Sequence, residues 1–416
     1  MNARSVPPVS ALRFERDPLR FGAARLASGL RPGAGSRYGP LELVTDYAPT
    51  LPGLDWVRLR PRLAGICGSD LATVDGRSSR WFEPIVSFPF VPGHEVVADV
   101  VAATADSHDT DDAARRVVVE PVLGCASRGI SPTCTACAEG RLGNCELIAH
   151  GDLDAGLQTG FCCDTGGGWS TGMVAHPSQI HDVPDDMTDE AAVVVEPTAC
   201  AVHAALRARA CPGDTVAVIG AGTLGLLTLA ALDRFAPDVS TVIGAKHPHQ
   251  RSLARELGAT VVCEPDELLR AVRRRTATHL LGRGSTGRLT GGADVTVDCV
   301  GSAESLMTAL AITRPTGRIV MVGMPGAIRV DLTPLWQREI ELVGAYAYGT
   351  ERLADGSSAR TFDLAFDLVR SADLGRLVSA TYPLERADDA IAHAADAGRR
   401  GAVKIAFDLR PEPTTA

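Results

Sequence analysis

Several features are missing from this chain. No stretch approaches the ~18 consecutive apolar residues that a membrane span requires. Residues 1–37 mix Arg, Glu, Pro and Gly without an apolar run, so they do not read as a secretory leader. Basic charge is not in excess. The net charge is −9 and the pI about 5.6, so bulk electrostatics would not draw in nucleic acid or an anionic membrane surface. No nucleic acid and no membrane partner is expected, and the expected location is cytoplasmic. Lysine is almost absent: of 41 basic residues only Lys246 and Lys404 are lysines. Genome composition accounts for that bias, and it makes the position of each lysine informative. Internal repeats are absent as well. With 416 residues, 45% hydrophobic and 22% charged, the chain is too apolar and too weakly charged to be disordered. It is long enough for two or three domains, each with its own core.

Two regimes follow one another along the chain. Between Leu41 and Val119, short apolar runs at 56–60, 96–102 and 116–119 are broken by Pro and Gly. They predict short β-strands with long connections. Residues 1–10 read as a frayed tail, and 106–112 as a solvated acidic loop. From about Pro197, apolar runs bounded by Gly alternate with helical patterns: strands at 215–219, 239–243, 294–300 and 318–322, helices at 224–235, 250–257 and 305–313. That alternation implies an α/β domain with a doubly wound parallel sheet. The Gly/Arg-rich run 282–292 reads as a mobile surface loop. Further on, helices are expected at 361–371 and 387–395, strands at 378–382 and 403–409, and a disordered tail at 411–416.

The run Thr215 to Ile219 leads into Gly220-Ala221-Gly222-Thr223-Leu224-Gly225 and then a helical pattern. A GxGxxG motif between strand and helix is the dinucleotide fingerprint. Gly220 permits the turn, Gly222 lets the backbone approach a pyrophosphate, and Gly225 lets helix and sheet pack closely. Thr223 and Leu224 open a helix whose free N–H groups face the phosphates. After the second strand a ribose-binding acid is expected, but Ala245-Lys246-His247 follows, with Arg251 nearby and neither Asp nor Glu among them. A carboxylate there would repel a 2′-phosphate, so replacing it with cationic neighbours favours NADP(H) over NAD(H).

Four of the eleven cysteines, Cys125, Cys134, Cys137 and Cys145, share one Gly/Pro-rich stretch. Four thiols in one loop can close a tetrahedral shell around a structural zinc. A second set is dispersed: Cys67, His94 with Glu95, and Glu196. Singly, each reads as structural: a small buried thiol, a core imidazole, and an acid at the start of a helix that begins with Pro197.

Taken in order, residues 65–71, 92–95, the cysteine stretch, Glu196-Pro197 and Gly220 to Gly225 resemble the zinc-dependent medium-chain dehydrogenases/reductases, the alcohol dehydrogenase superfamily. The segment from Glu196 to Ala204 is closest to the polyol and threonine dehydrogenase branch. The resemblance implies a GroES-like, mainly-β catalytic domain at 1–195, rejoined by 345–416, and a Rossmann domain at 196–344, with a catalytic zinc in the cleft between them. It implies Cys67 and His94 as zinc ligands, Glu95 as ligand or near neighbour, and Glu196 binding directly or through water. Asp70 would orient His94, and Ser69 would hydrogen-bond the substrate oxygen. Two features depart from the family pattern. Eight residues separate Cys125 from Cys134, which leaves Cys162 or Cys163 as outside candidates for the fourth ligand. Ala72 stands where many relatives carry a proton-relaying histidine.

The implied activity is hydride transfer between a small-molecule alcohol or carbonyl and a nicotinamide cofactor, in an enzyme assembled as a dimer or tetramer. Aromatic residues near 81–88, Trp169, Tyr346 and Tyr348 either line an apolar pocket or pack in cores. Two other activities share these motifs: reduction of a conjugated alkene on the same fold, and NADPH binding without catalysis.

Overall fold

The computed structural model describes residues 9–101, 115–284 and 287–411. The expected acidic loop at 106–112, the first eight residues and residues 412–416 lie outside them. The chain forms two compact units. One runs to Glu196 and takes back Gly375–Ala397 and the chain from Lys404 onward; the other comprises Pro197–Leu374 and Gly398–Val403.

The first unit is built on a seven-stranded sheet. Its path is Val378–Tyr382, Lys404–Asp408, Val57–Gly65, Val96–Val101, Arg116–Val119 and Ile180–Asp182, with Met173–Ala175 also paired to Val57–Gly65. The strands Val57–Gly65 and Val96–Val101 form its centre, flanked by Arg116–Val119, and there Leu59, Val96, Ala98, Val117, Val119 and Met173 pack together. Pro61 falls where the register of the central pair shifts, because proline cannot donate to the ladder. The strand Lys404–Asp408, from the far end of the chain, lies antiparallel to Val57–Gly65 with Ala406 opposite Gly65.

Ahead of this sheet, the strand Val9–Phe14 pairs with Leu41–Tyr47. Val9 and Ser10 are therefore ordered strand residues rather than part of a frayed tail. Between those strands runs the helix Pro18–Leu30. Asp17 caps it, accepting from the N–H groups of Leu19 and Arg20, and Pro18 sits in its first turn. The cysteine-rich stretch has almost no regular structure, and a buried arginine organises it. Arg128 donates to the carbonyls of Leu123, His150, Leu153, Asp154 and Gly156 at 2.6–3.2 Å.

The second unit holds six parallel strands in the order Val261–Cys263, Ser240–Gly244, Thr215–Ile219, Ala293–Asp298, Thr313–Met321 and Glu341–Gly344. The order reverses direction at Thr215–Ile219, and ligands bind open sheets at such a switch point. The return to the first unit comes at Gly375, not at residue 345. The reason is local bonding: Thr361, opening the helix Thr361–Ser371, bonds Gly349 and Glu351, and His203 pairs with Glu351 at 2.6 Å. Within the 282–292 run, Arg288–Leu289 pairs with Leu280–Leu281 and Leu289 is buried, so the described part is a short hairpin, not a free loop. By length and composition the helical run Asp189–Ala208 passes as long and apolar enough to cross a membrane, although Asp189, Glu190 and Glu196 break up its apolar residues, as expected from the sequence. Its most apolar window is 72% buried within the protein, as in a core helix.

Replacing Arg128 with Met should leave several buried carbonyls without a donor, each costing about 1–3 kcal/mol. The expected outcome is a thermal midpoint lowered by several degrees and faster labelling of Cys125, Cys134, Cys137 and Cys145 by a thiol reagent. Wild-type stability and labelling would show that the arginine does not hold this stretch.

Candidate active site and metal centres

Cys67 sits at the N-terminal end of the short helix Gly68–Val74, immediately after the strand Val57–Gly65. Asp70, in the first turn, turns back so that its Oδ2 accepts the Cys67 N–H at 3.0 Å. That leaves Oδ1 facing His94 Nδ1 at 3.3 Å. His94 and Glu95 lead into the strand Val96–Val101, the neighbour of Val57–Gly65. Sheet pairing thus unites segments that sequence alone left apart. One ligand atom from each of Cys67, His94 and Glu95 lies within 4.8 Å of the others. Glu196, buried at the start of the helix Val195–Ala208, stands outside that group. Burial disfavours a charge on His94, but Asp70 and Cys67 outweigh it and hold the imidazole well above its usual range.

Lys404 is the site residue that pattern reading missed. It is buried, its Nζ meets Glu95 Oε2 in an ion pair, and it donates to the Ile66 carbonyl at 3.2 Å. Burial opposes its charge, yet Glu95, Cys67 and Glu196 hold the ammonium above its ordinary value. Gly65 makes the pair possible, because a Cβ there would overlap Glu95 Oε2. The available signal was the rarity of lysine.

The buried atoms Asp70 Oδ1, His94 Nδ1 and Glu95 Oε2 lack well-aligned hydrogen-bond partners. A thiol, an imidazole and carboxylates converging in a buried site form a donor set suited to zinc.

The second centre is fully assembled. The sulfurs of Cys125, Cys134, Cys137 and Cys145 lie within 4.8 Å of one another. Cys125 and Cys145 are 3.7 Å apart, Cys134 and Cys145 4.0 Å. Four sulfurs around one zinc at about 2.3 Å would stand about 3.8 Å apart, so the spacing fits a closed tetrahedral shell. Backbone N–H groups also point at the sulfurs: Cys134 onto Cys125 at 3.3 Å and Cys137 onto Cys134 at 3.5 Å. Burial pushes the Cys145 thiol up to about 11 and Cys137 up as well. Burial also opposes ionisation of Cys134, but the N–H groups of Cys137 and Glu146 overcome it and bring that thiol down to about 7. Cys125 thus completes the group despite its long spacing. Cys162 and Cys163 lie elsewhere, Cys163 beside Asp154 at 3.3 Å and Cys162 against the Asp154 carbonyl.

In the second unit the fingerprint has the expected form. Gly220 adopts φ +92°, and a Cβ on Gly225 would overlap the Gly220 carbonyl. A Cβ on Gly222 would meet no protein atom within 4 Å, which leaves the approach above the turn open to a ligand. Thr223 and Leu224 start the helix Thr223–Phe235. At the end of Ser240–Gly244, Ala245 is buried, Lys246 exposed and His247 half-buried. Arg251 donates to the carbonyls of Ala245 and Lys246 and pairs with Glu264 at 3.3 Å, bracing this turn.

The aromatic residues divide. Trp169 is fully buried edge-on to Phe407, and Tyr348 packs against Phe362, so both belong to cores. Trp81 and Tyr346 are exposed. A row of rings, Phe14, Phe90 and Phe161, leads to His94, with Phe161 5.9 Å from the imidazole. Ser69 and Ala72 are half-buried on the helix that carries Asp70.

Lys404→Met strands the Glu95 charge and should cost about 3–5 kcal/mol. Adding Glu95→Gln should restore much of that stability. Urea denaturation of both variants, with and without a chelator, measures the coupling; equal stability of wild type and Lys404→Met would show that the pair is not a unit.

Comparison with known proteins places these features. Residues 53–185 match the alcohol dehydrogenase GroES-like domain and residues 223–361 the zinc-binding dehydrogenase domain. Sorbitol dehydrogenase of Bacillus subtilis is 28% identical over 82% of this chain and 86% of its own length. L-Idonate 5-dehydrogenase of Vitis vinifera is 27% identical over 89% of this chain and 92% of its own. Among solved structures, a Sinorhizobium meliloti 1021 protein bound to NADP superposes with TM-score 0.67 and 23% identity, covering 96% of this chain and 99% of that one. A dehydrogenase of Escherichia coli CFT073 complexed with NADH gives TM-score 0.69 and 18% identity, covering 97% and 100%. With both domains present in one chain and curated polyol dehydrogenases aligned across more than four-fifths of it, this protein belongs to the zinc-binding, medium-chain alcohol dehydrogenase family, in its polyol dehydrogenase branch, whose members are oxidoreductases acting on CH–OH groups.

Proposed function

We propose that this protein is a zinc-dependent dehydrogenase that moves a hydride between an alcohol and NADP(H), with a polyol or sugar acid as the substrate class. The observation that carries the metal part is the convergence of Cys67, His94 and Glu95, a thiol, an imidazole and a carboxylate, within 4.8 Å of one another in a buried site. The substrate class is supported by the named activities of the sorbitol and idonate relatives.

Cys67 and His94 would hold the catalytic zinc, with Glu95 beside it and Glu196 directly or through water. Cys125, Cys134, Cys137 and Cys145 would hold a structural zinc. A bound zinc supplies Lewis acidity, lowering the pKa of a coordinated hydroxyl. Asp70, 3.3 Å from Nδ1, orients the ring of His94, which would leave the other nitrogen for the metal. Lys404 holds Glu95 back and offsets one of the buried negative charges. Ser69, on the same helix as Asp70, would hydrogen-bond the substrate oxygen. With Ala72 at the relay position, Ser69 would pass the proton on toward solvent. The phenylalanine row beside His94 keeps bulk water from that side.

The solved neighbours hold NADP in one case and NADH in the other, so the fold accepts both. What favours NADP here is local: Ala245 where a ribose-binding acid would sit, with Lys246 and His247 next to it.

Metal analysis of the purified protein should find ~2 zinc per chain, falling to ~1 in Cys67→Ser while the four-cysteine centre stays filled. Activity on a polyol panel with NADP should fall more than about 100-fold in that variant. Unchanged zinc content and turnover in Cys67→Ser would overturn the assignment. Reduction of conjugated enones without any alcohol oxidation would move the protein to alkene reduction.

A further inference from the structure

The segment Gly398–Val403 is a short excursion of the chain. The residues on both sides of it belong to the first unit, yet these six pack with the second. They touch the dinucleotide fold at two places. At one end Val403 accepts from Thr223 Oγ1 at 3.3 Å, at the first residue of the helix that follows the glycine turn. At the other, Gly398 lies so close to His247 that a Cβ would come within 2.5 Å of its Cδ2 and 2.7 Å of its Nε2. Between them the Ala402 carbonyl lies 3.2 Å from His249 Nε2. The segment therefore runs from the pyrophosphate turn to the end of the second strand, the two points that bracket the adenosine half of a bound dinucleotide.

Its composition matches that path. Gly398-Arg399-Arg400-Gly401 brings two exposed guanidinium groups to an edge that already carries Lys246, His247 and His249. The rings of His247 and His249 are roughly parallel, 5.9 Å apart. Glu264 is taken up by Arg251. Burial, and then His249, Lys246, Arg399 and Arg251, all act to keep His247 from charging, so Arg399 belongs to the field felt at that ring. An anion seated among these groups would turn their mutual repulsion into attraction.

We propose that the segment Gly398–Val403 is the second wall of the adenosine-ribose site and that Arg399 contacts the cofactor's 2′-phosphate from the side opposite Lys246. This rests on the NADP reading above and adds a specificity residue lying some 150 positions downstream of the motif. Arginine suits the role, since its planar fork can engage two phosphate oxygens at once. Gly398 lets the backbone pass close to His247, which a side chain there would block.

The test is equilibrium binding of 2′,5′-ADP and 5′-AMP, and of NADP⁺ and NAD⁺, to the purified full-length enzyme by titration calorimetry. Arg399→Gln should weaken 2′,5′-ADP and NADP⁺ about tenfold, as expected for one charge-assisted hydrogen bond, and leave 5′-AMP and NAD⁺ within about twofold. Arg399→Lys should recover part of the loss. Gly398→Ala, which displaces the segment from His247, should give the same selective weakening with the thermal midpoint nearly unchanged. If wild type prefers 2′,5′-ADP and Lys246→Gln reduces that preference while Arg399→Gln does not, the arginine assignment fails and the NADP reading stands. Equal weakening of phosphorylated and unphosphorylated ligands by Arg399→Gln also overturns it. If wild type binds 5′-AMP as tightly as 2′,5′-ADP, the NADP reading falls, and Arg399 with it.

Discussion

The active site is governed by the cost of burying negative charge. Asp70, Glu95 and Glu196 are all buried and Cys67 nearly so, at the junction of two β-strands and two helices. An uncompensated ion in such a place costs several kcal/mol. One imidazole and one ammonium are the cationic partners there. Lys404 answers Glu95, and the Cys67 N–H answers one oxygen of Asp70. The side chains of Cys67, His94 and Glu95 converge within 4.8 Å of one another. A thiol, an imidazole and a carboxylate together are the donor chemistry that zinc takes.

The fold meets that demand by topology. Gly65 and Glu95 come together because their strands pair, and Lys404 reaches them because the strand that carries it returns from the far end of the chain. No local segment contains acid, thiol and ammonium together. The cysteine lobe solves a related problem without a sheet. Its backbone carbonyls find their donor in Arg128, and its sulfurs find backbone N–H groups. A single buried guanidinium does for this irregular stretch what a strand ladder does elsewhere.

Much of the fold was legible locally. Thr215–Ile219, Thr361–Ser371, Val378–Tyr382 and Ala387–Ala395 lie where their apolar patterns place them. Hydrophobic periodicity and glycine punctuation depend only on neighbours a few residues away. The helix Pro18–Leu30 was missed although Asp17-Pro18 is a standard start signal. Boundaries that depend on distant partners went astray. The return to the first unit shifted to Gly375 because Thr361 and His203 both bond to Glu351. Trp169 and Tyr348 proved to be core residues, a matter of which face each ring meets in three dimensions.

By itself the sequence determined the chemistry on offer: a glycine turn for a pyrophosphate, four closely spaced thiols, and a thiol, an imidazole and acids at three separate points. Each is a property of residue type and short spacing. Only the tertiary structure decided which of these share a site. It joined Cys67, Asp70, His94 and Glu95, completed the sulfur group with Cys125, set Lys404 against Glu95 and carried Gly398 to His247. Those pairings span long intervals of chain, where proximity follows from strand order and packing and leaves no trace in the local pattern.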